Sequence, residues 1–181
     1  MKKGHFSRIA RVTGLILVLA SGIAKAADTP DAWVTMKTKV SLMTTEGVDT
    51  HDLNVDTVKG VVTLHGKVAT EAEKLKAEKV ARGIEGTRDV KNLLQVVPTV
   101  QRATVERSDD EIKKGVEAAF KANKRVEDSG IKVSSVNKGV VLLSGKTKSL
   151  EAHLESVEVA RAVKGVRRVS SVVEVEAPST F

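Results

Sequence analysis

Lys59-Gly-Val-Val-Thr-Leu-His-Gly-Lys67 and Lys138-Gly-Val-Val-Leu-Leu-Ser-Gly-Lys146 are one phrase written twice, 79 residues apart. At the same shift Val80-Ala81-Arg82 pairs with Val159-Ala160-Arg161, Gly86 with Gly165, Arg88 with Arg167, Val90 with Val169 and Val96 with Val175. From 59 to 97 the register runs without a gap, and 15 of those 39 positions are identical. Chance does not produce such agreement. Two copies, each with its own complete apolar pattern, describe two small domains rather than a solenoid.

Within copy one, Trp33, Met36, Val40 and Met43 recur at three- and four-residue steps, which predicts an amphipathic helix with that stripe buried. Leu53, Val55 and Thr57 then alternate, Lys59-Gly60 turns the chain, and Val61 to Leu64 returns as a second strand. Thr70 and Glu73 form a capping box for a helix ending near Gly86, and a strand from Val90 to Val97 closes the unit. Copy two repeats the order. Ser108 with Glu111 caps a helix to about Asn123, strands cover 131–136 and 140–144, a helix runs 149–163 and a strand 168–176. The predicted class is α+β: two αββαβ modules, each a three-stranded mixed sheet with two helices on one face. The segmentation is 1–26, 32–98, a linker at 99–107, and 108–176. Leu75 and Leu154 project away from the buried stripe of their helices, an arrangement that predicts contact with the other domain or the module's first helix.

The 181 residues carry a formal +7, but the charge is unevenly placed. Residues 1–26 hold five basic side chains and no acid, an apolar run from Val12 to Ile23, and Ala24-Lys25-Ala26, the pattern of a cleavable secretory signal. An uncleaved N-terminal anchor is the alternative. With the signal removed the net charge is only +2, no segment suited to spanning a membrane remains, and the expected location is the periplasm. With no cysteine, disulfides and thiolate metal sites are excluded.

Little in the sequence supports catalysis. His51, His65 and His153 are scattered, without metal-ligand spacing, and no phosphate loop, dinucleotide fingerprint or nucleophile elbow occurs, so neither an enzyme nor a metal or other cofactor is expected. Nucleic-acid binding is disfavoured by export and by the scarcity of aromatics for stacking. His65, two residues after Thr63 on the hairpin, is expected to face solvent. Trp33 and Phe120 are in phase with apolar helix positions and are expected in the core. Residues 101–181 are more basic than 27–100, and Lys114, Lys121 and Arg125, with Arg167 and Arg168, form the candidate contact for an anionic lipid surface. An ordinary solvated helix face competes with that reading.

The pattern V-x-V, G-V-V-x-L-x-G, A-R-x-x-x-G and a closing V-x-V resembles the BON domain. Copy one shows it at Val55, Gly60 to Gly66, Ala81-Arg82, Gly86, Val90 and Val96. Copy two shows it at Val133, Gly139 to Gly145, Ala160-Arg161, Gly165, Val169 and Val175. Tandem copies behind a signal are similar to the osmotically inducible protein Y family. The resemblance implies a cell-envelope stress role, affinity for phospholipid surfaces and chaperone-like protection of exported proteins, and it brings no catalytic residues. His65 stands where the family has a small residue, and Ser171 replaces the equivalent of Asn92. The motif glycines, Gly60, Gly66, Gly86, Gly139, Gly145 and Gly165, are read as structural. The favoured partner is an anionic phospholipid surface. The alternative is a holdase or adaptor for exported or unfolded proteins, working through the crevice between modules or the helix-free sheet face. The sequence leaves the oligomeric state open.

Overall fold

The computed structural model describes residues 29–176; the signal-peptide expectation therefore lies outside the described residues. Module one runs α1 (Asp31–Met43), β1 (Leu53–Val58), β2 (Val61–Val68), α2 (Glu71–Arg82), β3 (Asp89–Asn92) and β4 (Gln95–Val96). A 3-10 turn at Thr99–Gln101 leads into module two, with α3 (Arg102–Ala122), α4 (Lys124–Glu127), β5 (Ile131–Asn137), β6 (Val140–Thr147), α5 (Leu150–Ala162), β7 (Arg168–Ser171) and β8 (Glu174–Val175). In each module the hairpin is antiparallel and the strand after the crossover helix returns parallel to the central strand, with Val62 beside Val90 and Val141 beside Val169. The mixed sheet agrees with the sequence reading.

The hairpin turns are two-residue turns with positive φ at both positions, 52° and 77° at Lys59-Gly60 and 50° and 74° at Lys138-Gly139. That geometry suits the twist of the flanking strands and leaves two turn N–H groups pointing away from the ladder. A helix supplies their acceptor. Asp31 takes both N–H groups of Lys59 and Gly60 at 2.7 Å, and Asp109 takes those of Lys138 and Gly139 at 2.9 Å. Asp31 and Asp109 are 78 apart, not 79, because β5 carries one extra residue, a bulge between Val133 and Ser135. Gly66 lies inside β2 with φ 122°, where a Cβ would come within 1.8 Å of the Asp52 carbonyl oxygen. Only glycine permits that approach.

Several boundaries differ from expectation. The closing strands break, because Asn92 and Ser171 each accept an N–H from two residues ahead, that of Leu94 or Val173, and divert the backbone. The second helix stops at Arg82, with Gly83 as its cap. Ser108 does not start a helix; α3 begins at Arg102 and runs through it, so the linker is itself mostly helical. Arg102 ties this segment to Asp52 of module one at 2.8 Å.

The first helix is rotated from its expected orientation. Val34, Thr38 and Leu42 are buried, while Trp33, Met36, Val40 and Met43 face out with exposures of 45, 48, 55 and 71%. Thr38 tolerates the core because its hydroxyl donates to the Val34 carbonyl at 2.8 Å. In α3 the equivalent buried residues are Ile112, Val116 and Phe120, so Phe120 is a core residue and Trp33 is not. Leu75 and Leu154 are 59 and 58% exposed, so neither is buried in the inter-domain or inter-helix contact expected of it.

Candidate functional site

Helices cover one face of each sheet, and the other faces meet. On β2, Thr63, His65 and Lys67 point away from the module's own core yet are buried, as are Val140 and Leu142 on β6. The contact runs between β2 and β5. His65 is at its centre and only 5% exposed, contrary to the solvent-facing position expected of it. The strand parity was right, but the second module covers that face. One ring nitrogen, Nε2, lies 3.0 Å from Asp56 Oδ2, and Nδ1 lies 2.9 Å from Ser135 Oγ in the other module. Asn137 donates to the same Ser135 oxygen. The hydrogen bond from His65 is the main cause holding the Asp56 carboxyl below its usual range. Lys67, also buried, reaches Asp109 at 3.6 Å and Glu106 at 3.9 Å on α3, and Lys138 Nζ donates to the Val96 carbonyl. The layer order is helices, sheet, sheet, helices, and the helix-free face once considered for client binding is occupied. Between the modules a groove of about 680 Å³ remains, bordered by Val58, Val172, Asp56, Lys132 and Lys146, with a smaller one beside Lys91 and Glu174.

Among the described residues, the outward side of α1 carries half of the exposed large apolar side chains. Its four exposed apolar residues are accompanied by Lys37, whose ammonium lies 5.2 Å from the Trp33 ring centroid, and by exposed Lys39. The same outward positions of α3 hold Glu111, Lys114, Ala118 and Lys121. The fold accepts a polar surface there, so the apolar stripe belongs to module one and not to the architecture.

The cationic candidates are all exposed but are not gathered into one line. Lys114 and Lys121 are on α3. That helix ends at Ala122, the backbone turns extended at Asn123, and Arg125 belongs to α4, where it pairs with Glu155 at 2.6 Å. Asn123 and Arg125 together keep the Glu155 carboxyl below its usual range. Arg167 and Arg168 lie by the 138–139 turn, at the other end of the module, where Arg167 donates to the Lys138 carbonyl. Among the described residues no group of three His, Asp or Glu side chains is placed to hold a metal, and no helix is long and apolar enough to cross a membrane. The sequence reading missed the outward apolar face, the buried His65 contact and the paired aspartates. The last had a usable signal, since an aspartate precedes Lys-Gly by 28 or 29 residues in both copies.

Two αββαβ units with this hairpin and these glycines define a tandem BON protein. The BON domain model matches residues 30–98 and 108–177, and the chain belongs to that family. It is 31% identical over 142 residues to Osmotically-inducible protein Y of Escherichia coli (strain K12), a match covering 78% of this chain and 70% of that one. It is also 31% identical over 120 residues to Outer membrane lipoprotein DolP of Haemophilus influenzae, covering 66% of this chain and 61% of DolP. A solved structure of CdsD, a structural protein of the type III secretion system of Chlamydia trachomatis, superposes over 80% of this chain and 92% of its own. Its TM-score of 0.34 and 11% identity are too low to support any conclusion about this chain.

Proposed function

We propose that this chain is a non-enzymatic periplasmic protein of the envelope and osmotic-stress response, whose BON modules attach it to phospholipid surfaces. One observation carries the reading: α1 turns Trp33, Met36, Val40 and Met43 outward where the second module is polar. Lys37 and Lys39 flank the stripe. A second copy packed along it would bring lysines together, whereas anionic headgroups would neutralise them. Burying the exposed half of each apolar side chain contributes roughly 1 kcal/mol, and Lys39 about as much near an anionic surface, whereas Lys37, already paired with Glu85 at 3.5 Å, adds little. The sum, about 5 kcal/mol, corresponds to a weak, reversible attachment with Kd on the order of hundreds of micromolar. Lys114, Lys121, Arg167 and Arg168 add a longer-range attraction that salt screens, and Arg125, held by Glu155, adds least.

The competing reading is a holdase or adaptor for exported, unfolded proteins. With the sheet faces covering each other, the α1 face is its largest exposed apolar stripe among the described residues. Trp33 is the only tryptophan and there is no tyrosine, so tryptophan emission reports this site alone. Anionic vesicles at low salt are expected to shift that emission to the blue and to carry the chain up a flotation gradient, and Met36→Glu with Met43→Glu, which keeps Trp33 as the reporter, to abolish both. Absence of both responses in the unaltered chain refutes the lipid reading. Suppression of a client's aggregation without vesicle binding would favour the holdase.

A further inference from the structure

The oxidisable sulfur of this chain is concentrated on one surface. There is no cysteine, and of three methionines Met1 opens the sequence while Met36 and Met43 both lie on the outward stripe of α1. Seven residues apart, they share one helix face two turns from each other. Neither belongs to a hydrophobic core, and the equivalent positions of α3 are Lys114 and Lys121, so the fold does not require a thioether there.

We infer that Met36 and Met43 form an oxidation-sensitive switch, in which a peroxide makes the α1 stripe polar and releases the chain from its lipid surface. The inference rests on the lipid-surface reading above. A thioether lone pair attacks one oxygen of hydrogen peroxide, the S–O bond forms as the O–O bond breaks, and the other oxygen takes up a proton and leaves as water. Sulfur is oxidised by two electrons and the peroxide reduced by two. The sulfoxide carries a strong hydrogen-bond acceptor that resists transfer from water into an apolar layer. Because both side chains stand outside the cores, oxidation leaves the fold intact. Vesicle affinity is expected to fall about tenfold per sulfoxide. Reversal needs the two epimer-specific sulfoxide reductases and a thiol reductant.

The test treats the purified chain with hydrogen peroxide, maps the added oxygens by peptide mass spectrometry, and checks the fold by circular dichroism. Flotation with anionic vesicles is measured before oxidation, after it, and after repair by the reductases with dithiothreitol. The expected result is oxygen on Met36 and Met43, an unchanged melting temperature, lost flotation and recovery on repair. The Met36→Leu, Met43→Leu variant keeps the apolar volume and is expected to float throughout. Undiminished flotation of the doubly oxidised chain overturns the switch and leaves the lipid reading standing. Peroxide-induced loss in the leucine variant also overturns it, because sulfur is then not responsible. A chain that does not float before oxidation overturns both.

Discussion

Replacing His65 with alanine tests whether the two modules are held as one body. The ring is buried, bonds Asp56 within its module and bonds Ser135 across the seam. Each hydrogen bond has a net worth of about 1 kcal/mol, and loss of the ring's burial adds roughly 1 kcal/mol more. Ser135 retains the Asn137 amide, and Asp56, partly exposed, turns to water, so neither partner is stranded. The expected cost is about 3 kcal/mol, or roughly 6–12 °C in Tm for a chain of this size. Calorimetry at neutral pH measures the stability. A pair of spin labels measures the seam, on cysteines placed at Lys91 and Glu174, which border one groove between the modules. The distance distribution is expected to broaden in His65→Ala. A drop below about 1 °C with an unchanged distance would refute the reasoning. Acid supplies a further check. His65 holds the Asp56 pKa below its unfolded value. That contribution is therefore complete above the ordinary aspartate value near 4 and is lost as pH falls through the lower folded value. The gap between wild type and variant should narrow below about pH 4.

Asp109→Ala removes a buried acceptor of two turn N–H groups and of Lys67, and is expected to cost about 3 kcal/mol; Asp31→Ala, more exposed, about half as much. Equal urea midpoints would contradict this ranking. Gly66→Ala forces a Cβ onto the Asp52 carbonyl and should cost more than about 4 kcal/mol or prevent folding, whereas Gly83→Ala, with helical φ and no atom nearer than 3.4 Å, should be neutral to slightly stabilising. Thermal melts of the two alanine variants compare them directly. Leu75→Gln and Leu154→Gln should each change stability by less than about 0.5 kcal/mol, and a larger loss would mean that these leucines have a partner in solution.

The repeat made the order of elements, the hairpin turns and the structural glycines legible, because each is a local requirement of the backbone. The face of α1 was not legible from its own residues. Two stripes interleave there, and the one with the larger apolar side chains is outside because Thr38, with its hydroxyl satisfied locally, sits well in the core. Aligning α1 with α3 at a shift of 78 resolves it, since Val34, Thr38 and Leu42 then fall on Ile112, Val116 and Phe120. The offset differs from that of the hairpins because Ser134 is inserted at the bulge, a change invisible until the strand register is known. His65 failed for another reason. Period-two alternation assigns it to the face of Thr63 but does not say what covers that face, and the cover comes from a strand 70 residues away. For the same reason the candidate surface moved from the cationic positions, which a helix break at Asn123 separates, to the apolar side of α1.

The meeting of the two helix-free faces sets a valency. A sheet covered by helices on one side has one side left for stacking, and here each module uses that side on the other. Nothing of that kind remains for a third. An added module would have to dock by different chemistry or hang free on its linker, and a module cut loose would present Thr63, His65 and Lys67, or Val140 and Leu142, to water. Two is thus a closed number for this architecture, and it leaves the helical exteriors as the surfaces on which the two copies have been free to diverge.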